Sequence, residues 1–337
     1  MRRPLAVGRQ RLDIERAAIL LTVASIAALY AAAVRYTGPM GRQVADLPAH
    51  FHIDEAVIDF AAISPAAGTP ATRATRRDTN FSALAYSLDA VRRRREVPRV
   101  FVASVPADLR EIADNDRRKI AFIKIVLPLV LHVNELIAND RGRVLALQDK
   151  ADAGGDLVAA DVDWLENLAR RHGLPRADFA ALLRHVDVIP PSLAVAQAAI
   201  ESGWGTSRFA LEGNALFGQY TYKAEDGLLP RARDTGKSHR IRAFNFLVDG
   251  VKAYAANLNS HPAYEDFRKL RKRLRAERSE PNGYRLAATL TRYSELGEEY
   301  VRSLRTIIAA NELEPLDEAR LAERLTVGGL AHDDPDA

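Results

Sequence analysis

Apolar residues recur at helical spacing over much of the chain, and breaks in that rhythm mark where its elements end. In Arg117–Leu147, Ile120, Ile123, Leu127, Val130, Leu131 and Leu136 fall at three- and four-residue steps and predict a long helix. Pro128 lies inside it and is expected to kink or interrupt it. A second helix is predicted over Val162–His172, ended by Gly173 and Pro175, and a short third over Asp178–His185. Pro190, Pro191 and Ser192 open an amphipathic helix, since proline suits a first turn. Leu193, Ala196, Ala199 and Ile200 form its apolar face, and Gly203 is placed to stop it in a left-handed cap. From Gln219 to His239 the periodicity disappears and Gly, Pro, Thr and Tyr take over, predicting a small β-rich lobe or a loop. Helical pattern returns at Leu247–Ser260, Phe267–Arg278, Tyr284–Thr291 and Glu298–Asn311. Upstream, Val100–Ala103 reads as extended, and the Gly- and Asp-rich tail after about Thr326 is expected to be disordered.

The amino-terminal pattern is different. Ala17–Val34 carries no charge, and at about 18 residues it reaches the lower limit for a membrane-spanning helix. Arg2, Arg3, Arg9, Arg11 and Arg16 precede it, which would hold that end in the cytoplasm and leave the bulk of the chain outside. The competing reading is a cleaved signal peptide, because Ala31–Ala33 offers small residues to a peptidase. The expected division is an anchor or signal over residues 1–36, a linker over 37–95, a helical extension over 96–160, a catalytic domain over 161–312 and a tail over 313–337. The expected location is an inner membrane, single-pass, with the catalytic domain in the periplasm.

Composition narrows the chemistry. The 337 residues contain no cysteine, which excludes disulfides, thiolate metal sites and cysteine nucleophiles. None of the eight histidines falls in an HExxH or similar ligand spacing, and there is no Gly-x-x-x-x-Gly-Lys loop, so neither metal nor cofactor is expected. Net charge is only +4, but Arg92–Arg95 and Arg268–Arg278 concentrate the basic residues. Such runs are either solvated faces or attractors for an anionic polymer or surface. Neither carries the aromatic platforms of a nucleic-acid binder.

The segment with most chemistry is Ala196–Gly205, AQAAIESGWG, followed by Asn214–Gly218, NALFG. A carboxylate at a helix carboxyl terminus, beside an aromatic wall, has its ionised form disfavoured by the helix dipole and by burial. That is what a general acid for glycoside cleavage requires. Glu201 fits this position, with Trp204 as the wall and Gln197 one turn earlier on the same face. From spacing alone, a surface glutamate closing a helix fits as well.

These two motifs, together with YAANLNSHPAY at Tyr254–Tyr264, LTRYSELGEEYVRSLR at Leu290–Arg305 and VPRVFVASVPADL at Val97–Leu109, resemble the Bax-type branch of the glucosaminidase group, glycoside hydrolase family 73. The resemblance covers roughly residues 95–312. It implies a mainly α (α+β), lysozyme-like helical domain with a small β-lobe, and cleavage of peptidoglycan glycan strands after N-acetylglucosamine. Glu201 matches the family's general acid, and Tyr293 the tyrosine of the closing motif. The second carboxylate is expected in the β-lobe, at Glu225, with Asp226 and Asp234 as alternatives. Substrate binding is expected at Gln197, Trp204, Asn214, Phe217, Gly218 and Tyr220, although NALFG carries one alanine more than the family's usual turn. The alternatives are a lytic transglycosylase using the same glutamate and a non-catalytic cell-wall-binding scaffold. The expected partners are peptidoglycan strands, the inner membrane and an unidentified regulatory protein.

Overall fold

The computed structural model describes residues 84, 86–221, 227–228, 240–277 and 279–323. The expected membrane segment, most of the linker, the far tail, and Glu225, Asp226 and Asp234 lie outside them.

The fold is mainly helical. In chain order the described elements are α1 (Leu88–Arg94), β1 (Glu96–Val97), α2 (Asn115–Asp152), α3 (Ala159–Arg171), α4 (Phe179–His185), α5 (Pro191–Ser202) and α6 (Arg208–Gly213). There follow β2 (Tyr220–Thr221), β3 (Gly227–Leu228), β4 (Arg240–Arg242), α7 (Leu247–Ser260), α8 (Glu265–Ala276), α9 (Gly283–Ala287), α10 (Glu298–Ala310) and β5 (Arg320–Leu321). The small antiparallel sheet has the order β2-β4-β3, with Tyr220 opposite Ile241 and Leu228 opposite the same residue on the other edge. Val100–Ala103 forms no strand; pairing begins earlier, at Glu96–Val97.

The long helix is one continuous element in spite of Pro128. Asp114 caps it, its side chain accepting from the amides of Asp116 and Arg117. A proline at position 128 removes the amide that would bond to the Lys124 carbonyl. The Tyr86 hydroxyl supplies the missing donor, bonding to that carbonyl at 3.0 Å. The expected interruption therefore does not occur: a side chain from outside the helix replaces the lost bond. Of the described helices, α2 alone is long and apolar enough to cross a membrane, and most of its apolar stretch is buried inside the fold.

That burial joins the extension to the domain behind it. Phe122, Ile125, Val126, Leu127 and Leu129 of α2 share one core with Leu193 to Ala199 of α5 and with α7, α9 and α10. The far half of α2 makes a second cluster, with Val144 and Leu147 packed against Leu165, Leu168 and Leu182. Residues 313–321 also belong to the folded body. β5 pairs in parallel with β1, Glu96 beside Arg320, while Arg92 and Arg95 of the first basic run reach the Asn311 carbonyl and Glu318.

The second basic run is structural as well. Arg271 is completely buried and Arg268 is 3% exposed. Arg275 grips Asp187 with two bonds of 2.7 Å, and Arg271 and Arg141 approach the same carboxylate at 3.6 and 3.8 Å. Burial alone would raise the Asp187 carboxyl, but these cations hold it below its ordinary value. Burial pulls the Arg268 and Arg271 guanidinium groups down to about 10. The expectation of a solvated face holds for Lys269, Lys272 and Arg273, which are exposed, and is corrected for Arg268 and Arg271, which α8 turns inward with Phe267 and Leu274.

Candidate active site

The helix bearing Glu201 is central rather than amphipathic. Pro191 to Ala199 are all buried, because α2, α9, α10 and the turn Glu314–Glu318 surround α5. Its polar side chains are therefore buried too and must find partners. At the start, Asp317 accepts from the Ser192 amide and hydroxyl, both at 2.8 Å. At the end, Gly203 adopts φ +58 and caps the helix as expected, and Trp204 follows in the same left-handed region.

Glu201 is half-buried at this end. Its Oε1 accepts a 3.1 Å hydrogen bond from Tyr300 Oη. Tyr300 Oη in turn accepts from Gln197 Nε2 at 3.1 Å, and Tyr254 Oη donates to Gln197 Oε1 at 2.7 Å. Aromatic stacking fixes these groups. Tyr293 lies parallel to Tyr300 with centroids 5.4 Å apart, and Phe217 lies parallel to Tyr254 at 4.0 Å. Tyr264 packs against the other side of the group, 5.8 Å from Tyr293. On the remaining flank, Gly218 has φ +61, and a Cβ there would stand 3.1 Å from Glu201 Oε2. A glycine is needed both for the backbone angle and for the close approach to the carboxyl.

Burial pushes the Glu201 carboxyl up to about 7, with the Tyr300 hydrogen bond opposing that rise. The negative end of α5 acts in the same direction as burial. At neutral pH this group holds a proton for a substantial part of the time and can give it to a leaving oxygen.

The residues expected at the site divide into those the fold brings together and those it does not. Gln197 was expected to bind substrate, but it is completely buried and holds two tyrosines instead. Trp204 was expected to wall the carboxyl. Successive left-handed residues turn the chain away, and its ring meets Phe122 edge-on at 5.7 Å, with Lys119 over it. Asn214 is a turn former: at φ +51 it caps α6, and its Nδ2 donates to the Phe244 and Asn245 carbonyls, both at 3.1 Å. Phe217 is 3% exposed, so it underlies the site rather than lining it. Tyr293 joins the group, its hydroxyl donating to the Phe217 carbonyl at 3.4 Å. Tyr220 contributes a backbone rung to the small sheet, and Glu225 lies outside the described residues. Sequence reasoning passed over Tyr254 and Tyr300. Both lie inside quoted motifs, and a glutamine within an alanine-rich helix, one turn before Glu201, was the signal that polar partners must exist. Among the described residues no group of three or more His, Asp or Glu is placed to hold a metal.

Residues 177–313 match the family model described as Glucosaminidase, mannosyl-glycoprotein endo-beta-N-acetylglucosaminidase. The chain is 33% identical over 204 residues to the Protein bax of Escherichia coli (strain K12), spanning 59% of this chain and 71% of that protein. No solved structure gives a significant match. The chain therefore belongs to the glucosaminidase family as a Bax-type member, with a domain of the glycoside hydrolase type.

Proposed function

We propose that the protein is a peptidoglycan hydrolase, an endo-β-N-acetylglucosaminidase in which Glu201 is the general acid. The observation that carries this reading is the half-buried Glu201 carboxyl at the end of α5, pushed up to about 7 and bonded to Tyr300. Family membership supports the substrate class. In this reading Glu201 protonates the glycosidic oxygen as the bond to the sugar carbon breaks. The second carboxylate comes from the β-lobe, with Glu225 the preferred residue. Ala17–Val34 anchors the chain in the inner membrane, and the domain works in the periplasm.

The test is mass spectrometry of purified peptidoglycan digested by the protein, with Glu201→Gln as control. Fragments ending in reducing N-acetylglucosamine, absent in the control, support the reading. Anhydro-muramic ends would move the protein to the lytic transglycosylases. Bound but uncut glycan would overturn the enzymatic reading in favour of a scaffold.

A further inference from the structure

The hydrogen-bond chain behind Glu201 has a direction. Tyr254 donates to the carbonyl oxygen of Gln197, the Gln197 amide donates to Tyr300, and Tyr300 donates to Glu201 Oε1. A phenol has one proton, so once its oxygen receives the amide N–H, that proton is left for Glu201. The links are shielded: Gln197, Tyr254 and Tyr300 are 0%, 1% and 3% exposed. The stacked rings of Phe217 and Tyr293 hold the two tyrosines in place. A buried carboxamide in the middle of an Ala-rich helix costs stability unless both of its ends are bonded, and here both are. An apolar side chain would fill the same space at lower risk, so the amide is there for what it orients.

We propose that Gln197 is a positioning residue: by donating to Tyr300 it turns the Tyr300 proton onto Glu201 Oε1, and so leaves Oε2, the oxygen facing Gly218, to carry and deliver the acid proton. This rests on the reading of Glu201 as the general acid. During the reaction the Oε2 proton passes to the glycosidic oxygen and the bonding pair leaves with that oxygen. The carboxylate that remains keeps the Tyr300 hydrogen bond. Gln197 touches no substrate and acts only through Tyr300.

The experiment is a ¹³C NMR titration of the full-length protein labelled at the glutamate carboxyl carbon, with the Glu201 signal assigned by its loss in Glu201→Gln. Glycan cleavage is measured on the same samples. Gln197→Met should raise the Glu201 midpoint by about one pH unit, because the ionised carboxyl loses an oriented donor. Tyr300→Phe should raise it at least as far, and Gln197→Met should add nothing in the Tyr300→Phe background. The kcat of Gln197→Met should fall with KM unchanged. If Gln197→Met does not fold, Tyr254→Phe removes one hydroxyl from the far end and should move the midpoint the same way by less. A Gln197→Met protein with a lower Tm and an unmoved midpoint would reduce the residue to packing and overturn the proposal. A lowered midpoint would overturn it as well, by showing the reverse polarity, in which Glu201 donates to Tyr300. A raised midpoint in Gln197→Met, alongside a wild-type protein that cuts no glycan, would leave the polarity standing and overturn the functional reading alone.

Discussion

Tyr300 bonds to Glu201 at 3.1 Å from a position 99 residues further along the chain. The carboxyl is thus set by two opposed influences, burial raising it and this one hydroxyl lowering it, and burial prevails. Two consequences follow for pH. If Glu201 is the general acid, as proposed, cleavage requires its protonated form, so activity should fall as pH rises through about 7, and a rate profile from pH 5 to 9 checks this. Stability is linked to the same proton. The folded value of about 7 lies above the unfolded 4.5, so the favourable contribution is complete below pH 4.5 and is lost as pH rises through 7. Glu201→Gln should therefore lower cleavage by roughly 10²–10⁴-fold. It should also unfold at a higher temperature than wild type at pH 8, with the gap closing at pH 4. The upper limit of that gain is about 3 kcal/mol from the size of the shift. Equal melting temperatures at both pH values would contradict the assigned protonation.

Gly218→Ala should separate site geometry from overall stability. The left-handed backbone angle costs an alanine about 1–2 kcal/mol. Its methyl carbon would stand 3.1 Å from Glu201 Oε2, closer than nine in ten real contacts of that kind. The strap at Phe217–Gly218 or the carboxyl must shift, so kcat should drop by more than tenfold while most molecules stay folded at 25 °C. Urea titration alongside the cleavage assay provides both numbers, and an unchanged kcat would show that the strap is free to move.

Some of this was legible in the sequence because the signals are local. The end of α5 follows from Gly203 within one turn of Glu201, and the helix boundaries of α4, α7 and α10 fall within about two residues of the periodic pattern. What was not legible depends on residues far apart. Local charge density marks Arg268–Arg278 as a basic run, yet Asp187, the partner of Arg271 and Arg275, is 84 and 88 positions away from them. Pro128 would break α2 by any local rule, and only Tyr86, packed across from the extension, supplies the replacement bond. Tyr300 was hidden for the same reason. Its motif suggested Tyr293, and the pairing with Glu201 arises only when α10 docks beside α5.

Trp204→Ala tests where the indole belongs. Its ring packs against Phe122, and the neighbouring backbone is fixed by the bond from the Trp204 amide to the Ala199 carbonyl at 2.9 Å. Loss of a half-buried indole should therefore cost stability, about 2 kcal/mol, through the cavity left against α2. The basic limb of the pH–rate profile should stay where it is in wild type. A shift of that limb toward lower pH, with little loss of stability, would return Trp204 to the wall of the carboxyl.

Asp187→Asn should be the most destabilising conservative change in the domain. The carboxylate is 2% exposed and balances Arg275 at 2.7 Å, Arg271 at 3.6 Å and Arg141 at 3.8 Å. Arg271 cannot escape to water, since it is fully buried with its Nη groups bonded to the carbonyls of Asp187, Val188 and Arg184 and to Asn259. An amide keeps the volume of Asp187 and removes the charge, leaving buried cations uncompensated at a cost of about 3–5 kcal/mol. Removing Arg275 should cost less: it is the most exposed of the three, and the carboxylate would keep two other cations. Urea unfolding of Asp187→Asn, Arg275→Gln and the double variant checks the ranking. The double variant should be more stable than the sum of the two single losses predicts, because each removes part of the same interaction. Simple additivity would mean that the carboxylate and Arg275 contribute independently.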